Sequence, residues 1–165
     1  MKMTVRQKSS GKHIRERLNT LMETIAQARE LEIAVGYPRD ASGLGTPEPA
    51  YDGEASIIEV AIRNNYGLGV PRRAFFEEAR EGMQDMYREV MRGTARQMLA
   101  GESDPRKVLD LAGLRAETAV RDSIADGNWQ PNSPATIARK GSSKPLIDTS
   151  TMRNRVTHIV RKAER

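Results

Sequence analysis

The chain has 165 residues, of which 38% are hydrophobic, 30% charged and 4% aromatic, and its formal net charge is +5. This length suffices for one domain with its own core. No apolar run approaches the ~20 residues that cross a bilayer, and the charged N-terminus has no apolar segment of a secretory signal behind it. The lack of Cys excludes disulfides, thiolate metal sites and Cys nucleophiles. We therefore expect production in the cytoplasm.

Charge is segregated along the sequence. Residues 1–17 carry six Lys/Arg and one Glu, and residues 139–165 carry eight Lys/Arg and two acids. Residues 18–138 carry thirteen basic and nineteen acidic residues. Three interpretations stay open: solvated surfaces, nucleic-acid contact through basic arms, and pairing of the basic termini of one copy with the acidic body of the next.

The N-terminal third is predicted to contain a basic arm, a helix, a strand and a loop. Residues 1–12 are interpreted as a mobile arm whose basic side chains contact DNA or a neighbouring subunit: Lys2, Arg6, Lys8 and Lys12. Apolar residues at spacings of 3 and 4 then predict an amphipathic helix over residues 14–28. Residues 31–37 alternate as a strand does and end before Pro38. The Gly/Pro-rich residues 38–53 are predicted to form a long interaction loop.

The middle of the chain is predicted to be helical. Residues 57–66 have helical spacing, and Gly67 is a plausible end. One apolar stripe predicts a single long helix over about residues 73–100, roughly 40 Å in length. Asp104 as N-cap and Pro105 in the first turn then begin a further helix that reaches about Asp126.

Residues 128–149, NWQPNSPATIARKGSSKPLIDT, show neither a helical nor a strand period. They hold the only Trp, Trp129, and three prolines. A long irregular run in a compact domain is usually functional or disordered, and an aromatic anchor argues against disorder. We therefore predict that residues 127–148 form a second long interaction loop. Trp129 either contacts another subunit or packs on its own core.

Residues 156–160 are predicted to form a final strand that pairs beside residues 31–37, after a short turn capped by Thr149 or Ser150. The predicted fold class is α+β. A small antiparallel sheet is packed by three to four helices, one of them long, in a single domain over residues 1–165.

No catalytic, cofactor or metal motif is found. His13 and His158 lie in unrelated segments with no adjacent carboxylate or second His at ligand spacing, so we expect surface or sheet residues. Ser9-Ser10-Gly11-Lys12 lacks the upstream Gly and strand of a P-loop and the partner motifs of serine acyl-transferases. We predict a protein that is not an enzyme and has no cofactor. Few aromatics are available for base stacking, so sequence-specific nucleic-acid readout lacks support.

Three blocks together resemble a neck or tail-completion protein of tailed phages, the virion-morphogenesis type found in Mu-like and related phages. The first is IEVAIRNNYG at 58–67, and the second is VPRRAFF at 70–76. The third has Trp129, Pro131, TI at 136–137, RKG at 139–141 and KPLIDT at 144–149. Two residues depart from the pattern: Ala74 replaces a helix-start Pro, and Ser150 replaces a Gly.

The resemblance implies a virion protein that forms a ring, a hexamer or dodecamer, at the head–tail junction. Its partners would be the portal or connector protein, the tail terminator or tail tube proteins, and DNA passing non-specifically through the channel. The subunit or partner interface would include Trp129, Pro131, Lys140, Lys144, Pro145, Leu146, Pro71, Arg72 and Arg73. The alternative is a free-standing basic nucleic-acid-binding protein without ring assembly.

Overall fold

The computed structural model describes residues 9–37, 56–100, 104–147 and 150–163. These ranges contain seven helices and a two-stranded antiparallel sheet. In chain order the elements are α1 (Ser9–Arg29), β1 (Leu31–Gly36), α2 (Ile57–Tyr66), α3 (Phe75–Gly82), α4 (Gln84–Ala100), α5 (Pro105–Asp126), α6 (Pro134–Lys140), α7 (Thr151–Asn154) and β2 (Thr157–Lys162). This is a small α+β fold, and it confirms the predicted fold class.

The sheet joins two strands from opposite parts of the sequence, as predicted. Leu31 lies opposite Lys162, and Gly36 lies opposite Thr157. Arg161 Nε donates to Glu32 Oε1 at 2.7 Å across the pair. Side-chain pairs of opposite charge on one face of an antiparallel ladder stabilise its register.

Helix α5 is central to the fold because it packs against α3 and against both strands. Its start follows the predicted signals: the Asp104 carboxylate accepts from the backbone N–H of Arg106 at 2.9 Å, and Pro105 occupies the first turn. Its buried positions recur every three or four residues, which places one face of the helix in the core.

The core brings together α2, α3, α5, α7 and the segment before α7. Its fully buried side chains are Phe75, Ile124 and Val156. The other buried members are Ile57, Ala61, Ala79, Val120, Leu146 and Met152. Tyr37, just after β1, donates its hydroxyl to Met152 O at 2.7 Å. Burial raises the pKa of this phenol well above its ordinary value.

The predicted single long helix is divided into α3 and α4, with Met83 between them. Gly82 ends α3, and glycine is a poor helix former because it loses the most backbone entropy. The two parts also differ in burial. Phe75 and Ala79 of α3 are buried in the core, whereas Tyr87 and Met91 of α4 are exposed. The apolar stripe is therefore continuous in sequence but not in its packing.

Two predicted irregular segments contain helix. Within the predicted loop 127–148, Ser133 caps the start of α6, because its hydroxyl accepts from the Thr136 backbone N–H at 3.3 Å, and Gly141 with φ +68° caps its end. The predicted mobile arm is already helical from Ser9. Residues 1–8 and the predicted loop 38–53 lie outside the described residues. Among the described helices, none combines the length and apolar character that a membrane span requires.

Candidate functional site

A buried arginine connects three segments that are distant in sequence. Arg73 Nη1 donates to Asn64 Oδ1 at 2.8 Å, at the end of α2. Its Nη2 donates to Asn132 Oδ1 at 3.0 Å and to Gln130 O at 3.1 Å, and its Nε donates to Gln130 O at 3.3 Å. We call these four residues the Arg73 network. It fixes the chain before α6 against the connection between α2 and α3.

In the Arg73 network, the charged guanidinium of Arg73 donates to neutral oxygens. Arg73 is only 4% exposed. Burial lowers the pKa of Arg73 from its ordinary value, but an arginine remains protonated at neutral pH. Its planar fork of donors reaches acceptors in different directions, which a lysine ammonium does not reproduce. Arg73, predicted as an interface residue, therefore bonds within the monomer, and its interface role stays a prediction.

The connection between α2 and α3 is shaped by an amide and a glycine. Asn65 is buried, and its Oδ1 accepts from the Phe76 backbone N–H at 3.2 Å. Gly67 ends α2 in the left-handed region with φ +75°, and a Cβ there would lie 2.9 Å from Arg72 Cβ. Both residues therefore turn the chain tightly enough to bring Arg73 back to Asn64.

Trp129 lies on its own domain. Its indole N–H donates to Ser123 O at 2.9 Å, at the end of α5, and the ring packs over Gly127 and against the core cluster. The hydroxyl of Ser123 in turn donates to Glu78 Oε2 of α3 at 2.5 Å. Of the two roles left open for Trp129, the structure therefore places its ring on its own core.

Leu146 is a core residue in this structure and is 8% exposed. It adopts a positive φ of +57°, which is unusual for a residue with a side chain. The neighbouring turn is closed by Ile147 N–H donating to Pro145 O at 2.6 Å. Leu146 therefore packs within the monomer, and its interface role stays a prediction.

The other predicted interface residues differ in exposure. Pro131, Lys144 and Arg72 are exposed, and Pro71 and Lys140 are half-buried. Lys144 adjoins the Arg73 network because its carbonyl accepts from Asn132 Nδ2 at 3.3 Å. The structure therefore groups the exposed side chains of Pro131 and Lys144 near Arg73.

The candidate contacts of the N-terminal arm fall mostly outside the described residues. Lys12 is exposed on α1, with its Nζ 4.0 Å from Glu16 Oε1. Lys2, Arg6 and Lys8 lie beyond the described residues.

An exposed apolar surface follows the end of α2. Its members are 39% to 61% exposed, and they are Ile62, Tyr66, Leu68 and Val70. We call them the α2 surface. Grouped apolar side chains exposed on a protein often mark an interaction site. Ile62 and Tyr66 belong to the segment with predicted helical spacing. Leu68 and Val70 alternate with glycines, and this spacing was a sequence sign that both side chains are exposed.

A second charged network lies where β2 meets α5. His158 Nδ1 is 2.6 Å from Glu117 Oε1, and His158 Nε2 is 3.1 Å from Asp110 Oδ1. Arg121 Nη2 is 2.9 Å from Glu117 Oε2 and also donates to Val156 O at 2.6 Å. We call His158, Glu117, Asp110 and Arg121 the His158 network. Sequence spacing did not reveal it because its carboxylates come from a distant helix.

The His158 network favours a protonated imidazole. Burial by itself lowers the pKa of His158, but the hydrogen bonds and charges of Glu117 and Asp110 outweigh it, so the pKa is raised. Both ring nitrogens face carboxylates, which leaves neither of them as a free general base. Gly113 makes room for the ring, since a Cβ there would lie 2.7 Å from His158 Nε2. Within the described residues, no cluster of three or more His, Asp or Glu side chains is arranged to hold a metal ion.

Comparison of the chain with protein-family models, with curated proteins and with solved structures finds no match in any of the three. The geometry of the described residues therefore carries the functional argument. It defines a helical scaffold with two internally bonded charged networks and an exposed apolar surface beside one of them.

Proposed function

We propose that the protein is a structural virion protein of a tailed phage that forms a ring at the head–tail junction. The ring joins the portal or connector side to the tail and lets DNA pass. The observation that carries this proposal is the convergence of the three sequence blocks. Asn64 of the first block, Arg73 of the second and the Gln130–Asn132 segment of the third share one hydrogen-bonded network.

The Arg73 network supports a scaffold role because it gives the connection after α2 a defined shape. Arg73 N–H donates to Asn64 O at 2.8 Å, and Leu68 N–H donates to Arg63 O at 2.8 Å. These bonds fix the backbone that carries the residues of the α2 surface. A binding surface built on rigid elements loses less conformational entropy when a partner docks.

The exposed apolar side chains support subunit or partner contact. The α2 surface is joined on the second block by exposed Arg72, and arginine and aromatic side chains are enriched at protein interfaces. A contact between two different surfaces of identical subunits generates a ring when its rotation closes. A subunit of a neck ring needs such contacts with its neighbours in the ring, and it needs further contacts to the head and to the tail.

The test is assembly with and without the α2 surface. We expect native mass spectrometry and electron microscopy to show rings for the wild type, alone or with candidate portal and tail components. Tyr66→Asp/Leu68→Asp removes exposed apolar area and is expected to abolish one class of contact without unfolding the monomer. Leu111→Asp/Leu114→Asp is the matched control, since Leu111 and Leu114 are comparably exposed on α5. A wild type that stays monomeric with every candidate component would contradict the proposal.

The alternative, a free-standing basic nucleic-acid-binding protein, is favoured by the exposed cations Lys12, Arg15 and Arg17 of α1. Salt-titrated binding of duplex DNA by the isolated monomer separates the two. A monomer that uses six or more phosphate contacts loses about a thousandfold in affinity between low and physiological salt. Salt-sensitive binding of duplex DNA by a monomer that never assembles would favour the alternative.

A further inference from the structure

An open groove of about 480 Å³ lies between the junction of α3 with α4 and the C-terminal half of α5. Its floor is apolar and includes Ala79, Met83, Met86 and Ala119. Its rim carries three carboxylates and one cation, namely Glu78, Asp122, Asp126 and Arg115. An apolar floor with an acidic rim suits an amphipathic helix whose polar flank is basic.

Helix α1 has an apolar stripe that the described residues of its own domain do not cover. Ile14, Leu18, Met22 and Ile25 are 39% to 63% exposed. The side of α1 that faces the domain is a different one, marked by half-buried Leu21, Thr24 and Ala28. We call the four exposed residues the α1 stripe. Because none of the described residues of α1 lines the groove, the groove and the stripe are separate uncovered surfaces.

The flank of the α1 stripe is basic. At 3.6 residues per turn, Arg15 and Arg29 project at or beside the stripe, whereas Lys12 projects farther round the helix toward Glu16, with which it pairs. The acids of α1, Glu16 and Glu23, project from the far side by the same geometry. Residue exposure agrees, since Arg15 and Arg29 are both exposed. The charge of the α1 flank is therefore opposite to that of the groove rim.

The two surfaces also match in length. The stripe from Ile14 to Ile25 spans roughly 17 Å along its helix axis, and the part of α5 that lines the groove from Arg115 to Asp126 spans roughly 17 Å as well. Methionine side chains in the floor adapt to the shape of an entering helix.

We propose that α1 of one copy docks in the α3–α5 groove of the next copy. The inference rests on the proposed ring and deepens it by naming the subunit contact. Ile14, Leu18, Met22 and Ile25 pack on the methionines of the floor, while Arg15 and Arg29 face the acidic rim of the groove. The contact joins two different surfaces, so repeating it closes a ring when the rotation allows.

The contact can be tested by reversing the charge of each surface by substitution. Arg15→Glu/Arg29→Glu makes the α1 flank acidic at two exposed positions. Asp122→Lys/Asp126→Lys makes the rim basic. By sedimentation velocity, each reversal is expected to raise the dissociation constant of self-association about tenfold or more. The fourfold variant, and an equimolar mixture of the two double variants, are expected to assemble again.

Controls separate the contact from folding and from general charge effects. Thr20→Glu/Gln27→Glu adds two acids to the side of α1 away from the stripe, and its assembly is expected to equal that of the wild type. Thermal unfolding followed by circular dichroism must show that every variant is folded. High salt is expected to reduce the difference between the variants, because exposed charges are screened.

A crosslink distinguishes failure of this contact from failure of the ring. The chain has no Cys, so Leu18→Cys in one preparation and Met86→Cys in another provide two unique thiols. A short bismaleimide is expected to give the mixed dimer. Rings that form without this crosslink and without charge rescue would overturn the docking contact and leave the ring proposal standing. Crosslinking and rescue without any ring would overturn the ring and retain the contact.

Discussion

The Arg73 network and the His158 network both fix distant segments of the chain with a largely buried cation, but their partners differ. Arg73 donates to carbonyl and amide oxygens. His158 lies between two carboxylates, with Arg121 as a second cation. The Arg73 network therefore keeps its bonds across the range in which proteins are stable, whereas the His158 network depends on an imidazole proton.

This difference predicts which kind of change breaks each network. Removing Arg73 leaves several partly buried hydrogen bonds without their donor, which costs free energy at every pH. The His158 network responds instead to pH and to the space above Gly113.

Arg73→Ala is expected to lower the free energy of unfolding by about 3 kcal/mol, because the acceptors of Asn64, Gln130 and Asn132 lose their donor. Urea unfolding at several pH values should show the same loss throughout. Arg72→Ala is the matched control: Arg72 is exposed, and its ion pair with Glu77 at 3.4 Å should contribute less than about 1 kcal/mol. An equal loss for both variants would show that Arg73 is not the connecting residue.

Gly113→Ala is expected to lower the free energy of unfolding by about 2 kcal/mol, since its methyl group overlaps the His158 ring. In a His158→Ala background the same change should cost nothing, which a double-mutant cycle measures. Gly93→Ala in α4 has open space around it and should instead stabilise by about 0.5–1 kcal/mol. Additive effects of Gly113→Ala and His158→Ala would contradict the contact.

Trp129→Phe is expected to lower the free energy of unfolding by about 1 kcal/mol, because Ser123 O loses the indole donor. Ring assembly should be unchanged, since the indole bonds within the monomer. Tyr87→Phe, on an exposed part of α4, controls for loss of a polar aromatic atom. A variant with wild-type stability and lost assembly would place Trp129 at the interface instead.

The smallest effect is the pH dependence of His158. Its pKa is raised in the folded state, so its stabilisation is fully present below the unfolded value of about 6.5 and is lost as pH rises through the folded pKa. The stability difference between wild type and His158→Gln should therefore shrink at alkaline pH. His13→Gln, at an exposed position of α1, controls for the loss of an imidazole. A difference that is constant or grows with pH would mean that the ring is neutral when folded.

Local signals in the sequence predicted most elements of the fold. Gly67 ends α2, Asp104 and Pro105 start α5, and the two terminal strands pair as expected. The signals for α6 were equally present in Ser133, Pro134 and Gly141, but a seven-residue helix with no buried residue has no apolar period to detect.

The networks required three-dimensional information. Glu117 and His158 are 41 positions apart, and Arg73 and Gln130 are 57 apart, so no spacing rule connects them. Ser150 shows a limit of another kind. It adopts φ +61°, a left-handed conformation that usually favours Gly, and a serine in the sequence does not signal it.

The pairing of β1 with β2 has a consequence for how the chain folds. Glu32 and Arg161 bond across 129 positions, so closing the sheet requires a large loss of chain entropy before any ladder bond forms. Neither strand has another described strand beside it, and an isolated pair is marginally stable. Helix α5, which contacts both strands, would therefore form first and serve as the template on which the sheet assembles, which predicts slow refolding for a chain this rich in helix.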